Sequence, residues 1–252
     1  MNVAELPTSD DPRISVLTEK NQTWIILDDP ATLNALDPGL VRALAREVEA
    51  VKSGRLIITG RNGAFSSGGS LETVSSLASQ VTTDRIGVEA IVREGGNLIE
   101  DILFSPATTI ALIDGVVAGA GIGIALACDI QLATHRTRYN TAYATLGLPS
   151  DFGTHELLRQ RIGEDKANEL MKNPELVGIT RAQELGLVDA VIDRVDPKLV
   201  RKTVKTIPVP DRKSKLKSMS AVLDTEAAQF AQALSNPKVQ VQVEKLMKKK
   251  RR

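Results

Sequence analysis

Apolar and polar positions alternate in short blocks through the first quarter of the chain. The runs "ISVLTE" and "TWIILDD" flank the polar "KNQ", which predicts a hairpin. Leu40, Leu44, Val48 and Val51 then recur at helical spacing, with Asp37 placed to cap that helix and Pro38 at its first position. "RLIITG" predicts a buried strand, and a glycine-rich loop, "GRNGAFSSGGSLE", follows it. Residues 81–103 predict a helix, and "TTIALIDGVV" and "DIQLAT" predict further strands.

Strands thus alternate with helices to about residue 195, which predicts an α/β fold with partly parallel strands. Near the end of this region, Thr180 and Gln183 fit a capping box. Gly186 is placed to stop the short helix before a strand in "VDAVIDRV". Beyond Val195 the stretch "RKTVKTIPVPDRKSKLKSMS" is basic, carries two prolines and reads as a linker or loosely held segment. Leu223, Ala227, Phe230, Ala231 and Leu234 then form one helical stripe, which needs a surface in its own domain or on another subunit. The closing "KKKRR" reads as a solvated end, with a phosphate or membrane-surface role as the other reading. The division expected is a core over 1–195 and a helical C-terminal region with a basic tail over 196–252.

Composition narrows the function classes. The chain has 252 residues, 42% hydrophobic and 25% charged, enough for one large core or a core plus an appendage. A formal net charge of +1 gives no electrostatic footprint for nucleic acid. The single cysteine, Cys128, excludes a disulfide within the chain and fits a reducing compartment. "MNVAELPTSDDPR" has neither the apolar core of a secretory signal nor the pattern of a transit peptide, and no apolar run approaches the ~20 residues that span a bilayer. The expectation is a soluble cytoplasmic protein with no nucleic-acid or membrane partner.

The segment "GVVAGAGIGIALACDI" raises the chemical question. A dinucleotide fingerprint would need a glycine where Ile124 stands, and no acidic residue closes a strand some twenty residues on. An oxyanion hole is a second reading: small residues let a carbonyl approach backbone amides at a helix start, where the dipole is positive. Such a site needs a second donor, for which "FSSGGSL" is the obvious supplier. Close helix packing is a third, and taken alone the pattern favours it.

Five blocks in order change that balance: "ILDDPATLNALDPGLVRAL", "GAFSSGGSL", "IDGVVAGAGIGIALACDIQLAT", "LGLPSDFGT" and "ITRAQELGLVDAVIDRV". With them, the chain resembles the crotonase superfamily, or enoyl-CoA hydratase/isomerase family, from about Ile14 to Val195. The C-terminal "DTEAAQFAQALSNPKVQVQVEKL" is similar to the family's last helices. The resemblance implies an α/β spiral of repeated strand–strand–helix units and a C-terminal helical region used to form a homotrimer or hexamer. It implies an acyl-CoA thioester as partner, with CoA part of the substrate and no separate cofactor. The thioester oxygen would sit between the amides of Gly69 and Ala120. Asn34, Ala35 and Leu36 become candidate CoA contacts, although Leu33 stands where a basic residue often precedes the asparagine. Ser67, Gly68, Gly119, Gly123 and Tyr143 join them as candidate substrate contacts.

The reaction depends on acids and bases rather than on the fold. Hydratases of the family resemble one another in two glutamates; Gly123 and Tyr143 occupy those places here. Tyrosine, with a pKa near 10, is a poor base, so hydration is not expected. Asp151 matches a pattern in which some isomerases carry one acidic residue after "LGL". One carboxylate suffices to move a proton from the α to the γ carbon of a 3-enoyl thioester, and an apolar pocket would raise its pKa. Without the resemblance, Asp151 reads equally as a helix cap. Decarboxylation, thioester hydrolysis or a catalytically weak CoA-binding subunit are the alternatives. His155 could lie one turn from Asp151 and tune it, or sit on the surface; His135 reads as structural. Tyr143 reads as a pocket wall, a hydrogen-bond donor or a packed aromatic. Ser66, Ser67 and Ser70 lack a base to activate them, Ser70 standing where many relatives have Asp, and no metal-ligand cluster is evident.

Overall fold

The computed structural model describes residues 9–173, 175–209 and 219–250. Most of the acidic stretch before Asp11, residues 210–218 of the basic segment and residues 251–252 of the closing "KKKRR" lie outside the described residues.

The first two strands, β1 (Ile14–Glu19) and β2 (Gln22–Leu27), pair antiparallel. Lys20 and Asn21 between them have φ of 49° and 64°, the left-handed pair that matches the twist of a two-residue hairpin. Helix α1 (Pro38–Ala50) starts where expected, with the Asp37 side chain accepting from the Leu40 N–H, and it buries Leu40, Leu44 and Val48. From there strands β3 (Arg55–Gly60), β5 (Thr108–Ile113), β7 (Ile130–Thr134) and β10 (Ala190–Ile192) join β2 in parallel. The resulting six-stranded order is β1-β2-β3-β5-β7-β10.

After each of three parallel strands the chain crosses to a second, four-stranded sheet. Its order is β4 (Ala64–Ser66), β6 (Val116–Ala118), β8 (Arg138–Asn140) and β9 (Val177–Gly178). A helix follows each crossing: α2 (Leu71–Gln80) and α3 (Arg85–Phe104) after β4, α4 (Ala120–Ala127) after β6, and the short α5 (Tyr143–Leu146) after β8. This is the expected spiral of strand–strand–helix turns. It splits the predicted single strand "TTIALIDGVV" into β5 and β6, which lie in different sheets. The break falls at Gly115, whose φ is +96° and where a Cβ would lie 1.9 Å from the Gly63 carbonyl oxygen. The helix expected over 81–103 begins instead at Arg85, where Asp84 accepts from the Gly87 N–H.

Helices α6 (Thr154–Ile162), α7 (Glu164–Lys172) and α8 (Ile179–Leu185) close the spiral. Gly186 ends α8 in a left-handed conformation, as expected, but its N-cap is Gly178, so Thr180 lies inside the helix and forms no capping box. The segment after Val195 also departs from a linker. Asp196 caps α9 (Pro197–Val204), whose Val200 and Val204 pack with Trp24, Ile57, Ile110 and Ile130 on one face of the large sheet. Helices α10 (Met219–Leu234) and α11 (Pro237–Lys250) follow. The predicted α10 stripe, from Leu223 to Leu234, is buried on its own chain, chiefly against α2 and α3. Gly96 of α3 admits it: a Cβ there would lie 3.1 Å from the Leu223 Cβ.

Candidate active site

One backbone pairing orients the first loop. The Leu36 N–H donates to the Gly68 oxygen (2.8 Å), and the Ser70 N–H donates to the Leu36 oxygen (2.9 Å), a parallel bridge between Leu36 and Gly69. The bridge uses the groups on either side of Gly69, so the N–H of Gly69 itself faces away from Leu36. Gly68 has φ of +89°, and a Cβ there would lie 2.7 Å from the Ala118 oxygen, so the loop can approach β6 only as glycine. The Ser66 hydroxyl donates to the Asn34 oxygen and accepts from the Gly68 N–H; the Ser67 hydroxyl donates to the Thr32 oxygen. Ser70 caps α2.

The second loop ends at the start of α4. Gly119 is its N-cap, with φ 49° and ψ −125°, and Ala120 is the first helical residue. The Ala120 amide is one of the donors a helix leaves unpaired, at the positive end of its dipole. Neither the Gly69 nor the Ala120 N–H has an acceptor among the described residues. Both residues border one cavity of about 300 Å³, together with Ser67, Gly68 and Gly119.

Across that cavity lie Tyr143 and Asp151. The Tyr143 hydroxyl donates to Asp151 Oδ1 at 2.7 Å and lies 3.1 Å from Thr154 Oγ1. A phenol has one proton, so with that proton on Asp151 the Thr154 hydroxyl donates to the phenol oxygen. Asp151 keeps part of its surface open to the cavity, yet loss of water around it pushes its carboxyl up to about 7. The Tyr143 hydrogen bond pulls it down and the Glu226 carboxylate pushes it up. Burial, with the charge of Asp151, drives Tyr143 well above its ordinary value, so the phenol stays protonated as a donor. The capping reading of Asp151 fails: α6 has Gly153 as N-cap, with no side-chain cap bond.

Several other expectations need correcting. Gly123 does not border the cavity. A Cβ there would lie 2.4 Å from the Phe152 oxygen and 2.9 Å from Thr154 Oγ1, so this glycine seats the turn that carries Asp151. Asn34 is fully buried; its Oδ1 accepts from the Asp29 N–H (2.7 Å) and its Nδ2 donates to the Ala64 oxygen (2.8 Å). Its amide shapes the fold and has no surface to offer a ligand. Ala35 and Leu36 are buried too; Leu36 borders a smaller cleft of about 50 Å³ behind Gly69 and Asp151. His155 turns its Nε2 to Asn168 Oδ1 (2.9 Å) instead of Asp151, and His135 is exposed, 3.8 Å from Asp193.

The sequence pointed to neither Thr154 nor the apolar wall formed by Leu71, Val74, Leu146 and Phe230. Nor did it point to Glu226, although a charged residue three positions after Leu223 and four before Phe230 falls on the buried stripe, which is a readable signal. Phe152, beside Asp151, has φ of +52°, and its ring lies over Gly95, where a Cβ would sit 2.2 Å from the ring. Among the described residues no group of His, Cys, Asp and Glu could hold a metal ion, and no helix is long and apolar enough to cross a membrane.

Likeness to known proteins bears on the same site. The profile of the enoyl-CoA hydratase/isomerase family matches residues 18–250. Mouse mitochondrial methylglutaconyl-CoA hydratase is 28% identical over 198 residues, 76% of this chain but 61% of the mouse protein's length. The trans-2-decenoyl-(acyl-carrier-protein) isomerase of Streptococcus mutans is 28% identical over 199 residues, 72% of this chain and 73% of that protein. Among solved structures, enoyl-CoA hydratase from Bacillus halodurans shares the fold with a TM-score of 0.82 at 22% identity, over 92% of this chain and 99% of that one.

Proposed function

The chain belongs to the enoyl-CoA hydratase/isomerase family, and we propose that it is an acyl-CoA enzyme that shifts the double bond of a 3-enoyl thioester to the 2 position. The observation that carries this reading is that Asp151 is the only carboxylate among the residues described as lining a cavity that two unpaired amides also face.

The thioester oxygen accepts from the N–H groups of Gly69 and Ala120, which acidifies the α carbon. Asp151 takes the α proton; the C–H electron pair becomes the double bond between the carbonyl and α carbons, and the carbonyl π pair moves onto the thioester oxygen, giving a dienolate that keeps the β,γ double bond. The protonated Asp151 then returns that proton to the γ carbon, and the double bond moves to the α,β position. No water enters and no atom is lost. A carboxyl that titrates near neutrality can serve in both directions. Hydration would need a second acid–base group, and the places that would supply it hold Gly123, covered by Phe152, and Tyr143, held protonated. The name of the Streptococcus mutans relative, a trans-2-decenoyl-(acyl-carrier-protein) isomerase, is in keeping with the reading. A homotrimer or hexamer belongs to the same proposal.

Incubation with a 3-enoyl-CoA, following the absorbance of the conjugated thioester, tests it. Turnover is expected, and Asp151→Asn is expected to lower kcat by about 10²- to 10⁴-fold, the usual worth of a general base. Unchanged turnover in that variant would remove Asp151 from the base role; a 3-hydroxyacyl product would overturn the reaction assigned.

A further inference from the structure

Glu226 is a buried acid on the apolar face of α10, and nothing in the proton transfer described above uses it. Its Oε1 accepts from the Ser150 hydroxyl at 2.8 Å, and its Oε2 accepts from the Gly153 N–H at 2.8 Å. Those two donors stand one residue before and two residues after Asp151. The Glu226 carboxylate therefore spans the base from behind, while Tyr143 holds the base from the cavity side.

The turn it spans needs such a clamp. Phe152 at φ +52° and Gly153 at +63° are consecutive left-handed residues, and the first carries a side chain. A non-glycine residue there costs on the order of 1–3 kcal/mol and persists only where its surroundings fix it. A packed apolar residue at position 226 could fill space but could not receive the Ser150 and Gly153 donors, which lie in the protein interior.

Charge gives the clamp a second effect. Glu226 receives two donors at its oxygens, whereas Asp151 receives the Tyr143 hydroxyl and a contact from its own backbone. Burial pushes the Glu226 carboxyl up, and the Ser150 and Gly153 donors pull it back toward the charged form, whereas among the described side chains only Tyr143 does so for Asp151. The other groups facing the pair are His155 and Glu156 from α6 and Tyr143 from α5. From α3, Arg93 is engaged by Glu100 and Asp224. Helices α2 and α11 meet α10 through apolar side chains such as Val74, Leu77 and Val239.

We propose that Glu226 is the positioning residue of this site: it clamps the Asp151 turn and places a like charge behind the base, so that α10 sets both the aim and the charge environment of the carboxylate. The inference rests on Asp151 being the base, but its test does not need turnover.

In full-length protein labelled with ¹³C at aspartate and glutamate carboxyls, the Asp151 resonance is followed through a pH titration. In Glu226→Gln the side-chain oxygen still accepts from the Gly153 N–H and the amide can donate to Ser150, so shape is kept and charge removed. The Asp151 midpoint is expected to fall by roughly one pH unit. Ser150→Ala, which keeps the charge, is expected to leave the midpoint within a fraction of that. An unmoved midpoint in Glu226→Gln overturns the proposal, as does an equal fall in Ser150→Ala, which would mean that loosening alone is responsible. Should Glu226→Gln fail to fold, the wild-type spectra decide: the Glu226 resonance must respond to the ionisation of Asp151, and independent titration of the two refutes the coupling. A shifted midpoint in a protein without isomerase turnover would uphold the clamp and reject the reaction assigned above.

Discussion

The hydroxyl of Tyr143 donates a 2.7 Å hydrogen bond to Oδ1 of Asp151, and among the described residues this bond is the only side-chain interaction that favours the charged form of the base. Removing it should make the carboxyl harder to ionise. In Tyr143→Phe the pH at which kcat/KM reaches half its plateau is expected to rise above the wild-type value of about 7, because the rate needs Asp151 deprotonated. A pH–rate profile of the two proteins checks this. An acid limb that stays put or moves down would show that the phenol does not serve the carboxylate.

The same raised pKa has a stability consequence. An aspartate titrates near 3.9 in an unfolded chain, but Asp151 titrates at about 7 in the folded protein. Between these values the folded chain keeps a proton that the unfolded chain has released, so stability is lost as pH rises through the window. Asp151→Asn carries no such penalty and still offers an oxygen to Tyr143. It should match wild type below pH ~4 and exceed it above pH ~7, by on the order of 2 kcal/mol once partial exposure is allowed for. Thermal unfolding at several pH values would show a widening gap; a constant gap would contradict it.

The role of the Ala120 amide can be tested with proline, which removes the N–H and puts the ring Cδ in the place of its hydrogen, where the thioester oxygen would bind. Ala120 is the first residue of α4, a position where proline is accepted, and Gly119 before it has φ 49° and ψ −125°, the mirror image of a conformation that tolerates a following proline. Ala120→Pro should fold and should lose about 10²- to 10³-fold in kcat. Wild-type turnover in a folded Ala120→Pro protein would exclude this amide as a thioester oxygen donor.

Gly95 underlies the Phe152 ring, and an added methyl would lie 2.2 Å from it. Gly95→Ala should therefore cost about 1–3 kcal/mol, measured by denaturant unfolding, and should lower kcat through displacement of the neighbouring Asp151. Loss of stability with full activity would show that the Phe152 ring and the base move independently.

Where local chemistry decides structure, the chain could be read directly. Asp37 and Pro38 start α1 and Gly186 ends α8, because caps act within a few residues. The two glycine loops stood out by composition, but their reading as a site, and that of Asp151 as a base, came from the family resemblance rather than from spacing. The division of "TTIALIDGVV" was not visible: it depends on Gly115 meeting the Gly63 backbone, which is remote in sequence. Thr180 matched a capping pattern, but the turn before α8 starts the helix at Ile179, after Gly178. Asn34 looked available for a ligand until its amide proved to be spent on Asp29 and Ala64. The link from Ser150 and Gly153 to Glu226 joins residues more than seventy positions apart, a pairing that no local pattern announces.

Gly123 and Asp151 exclude each other's alternatives. The backbone of Phe152 lies where a side chain at position 123 would begin, so a glutamate cannot be grafted there while the turn holds its present course. Shifting the turn to make room would carry Asp151 away from Tyr143. An engineer seeking hydration on this scaffold would therefore have to rebuild residues 150–154 and their support on α10 as one block, since single exchanges would dismantle one chemistry before assembling the other.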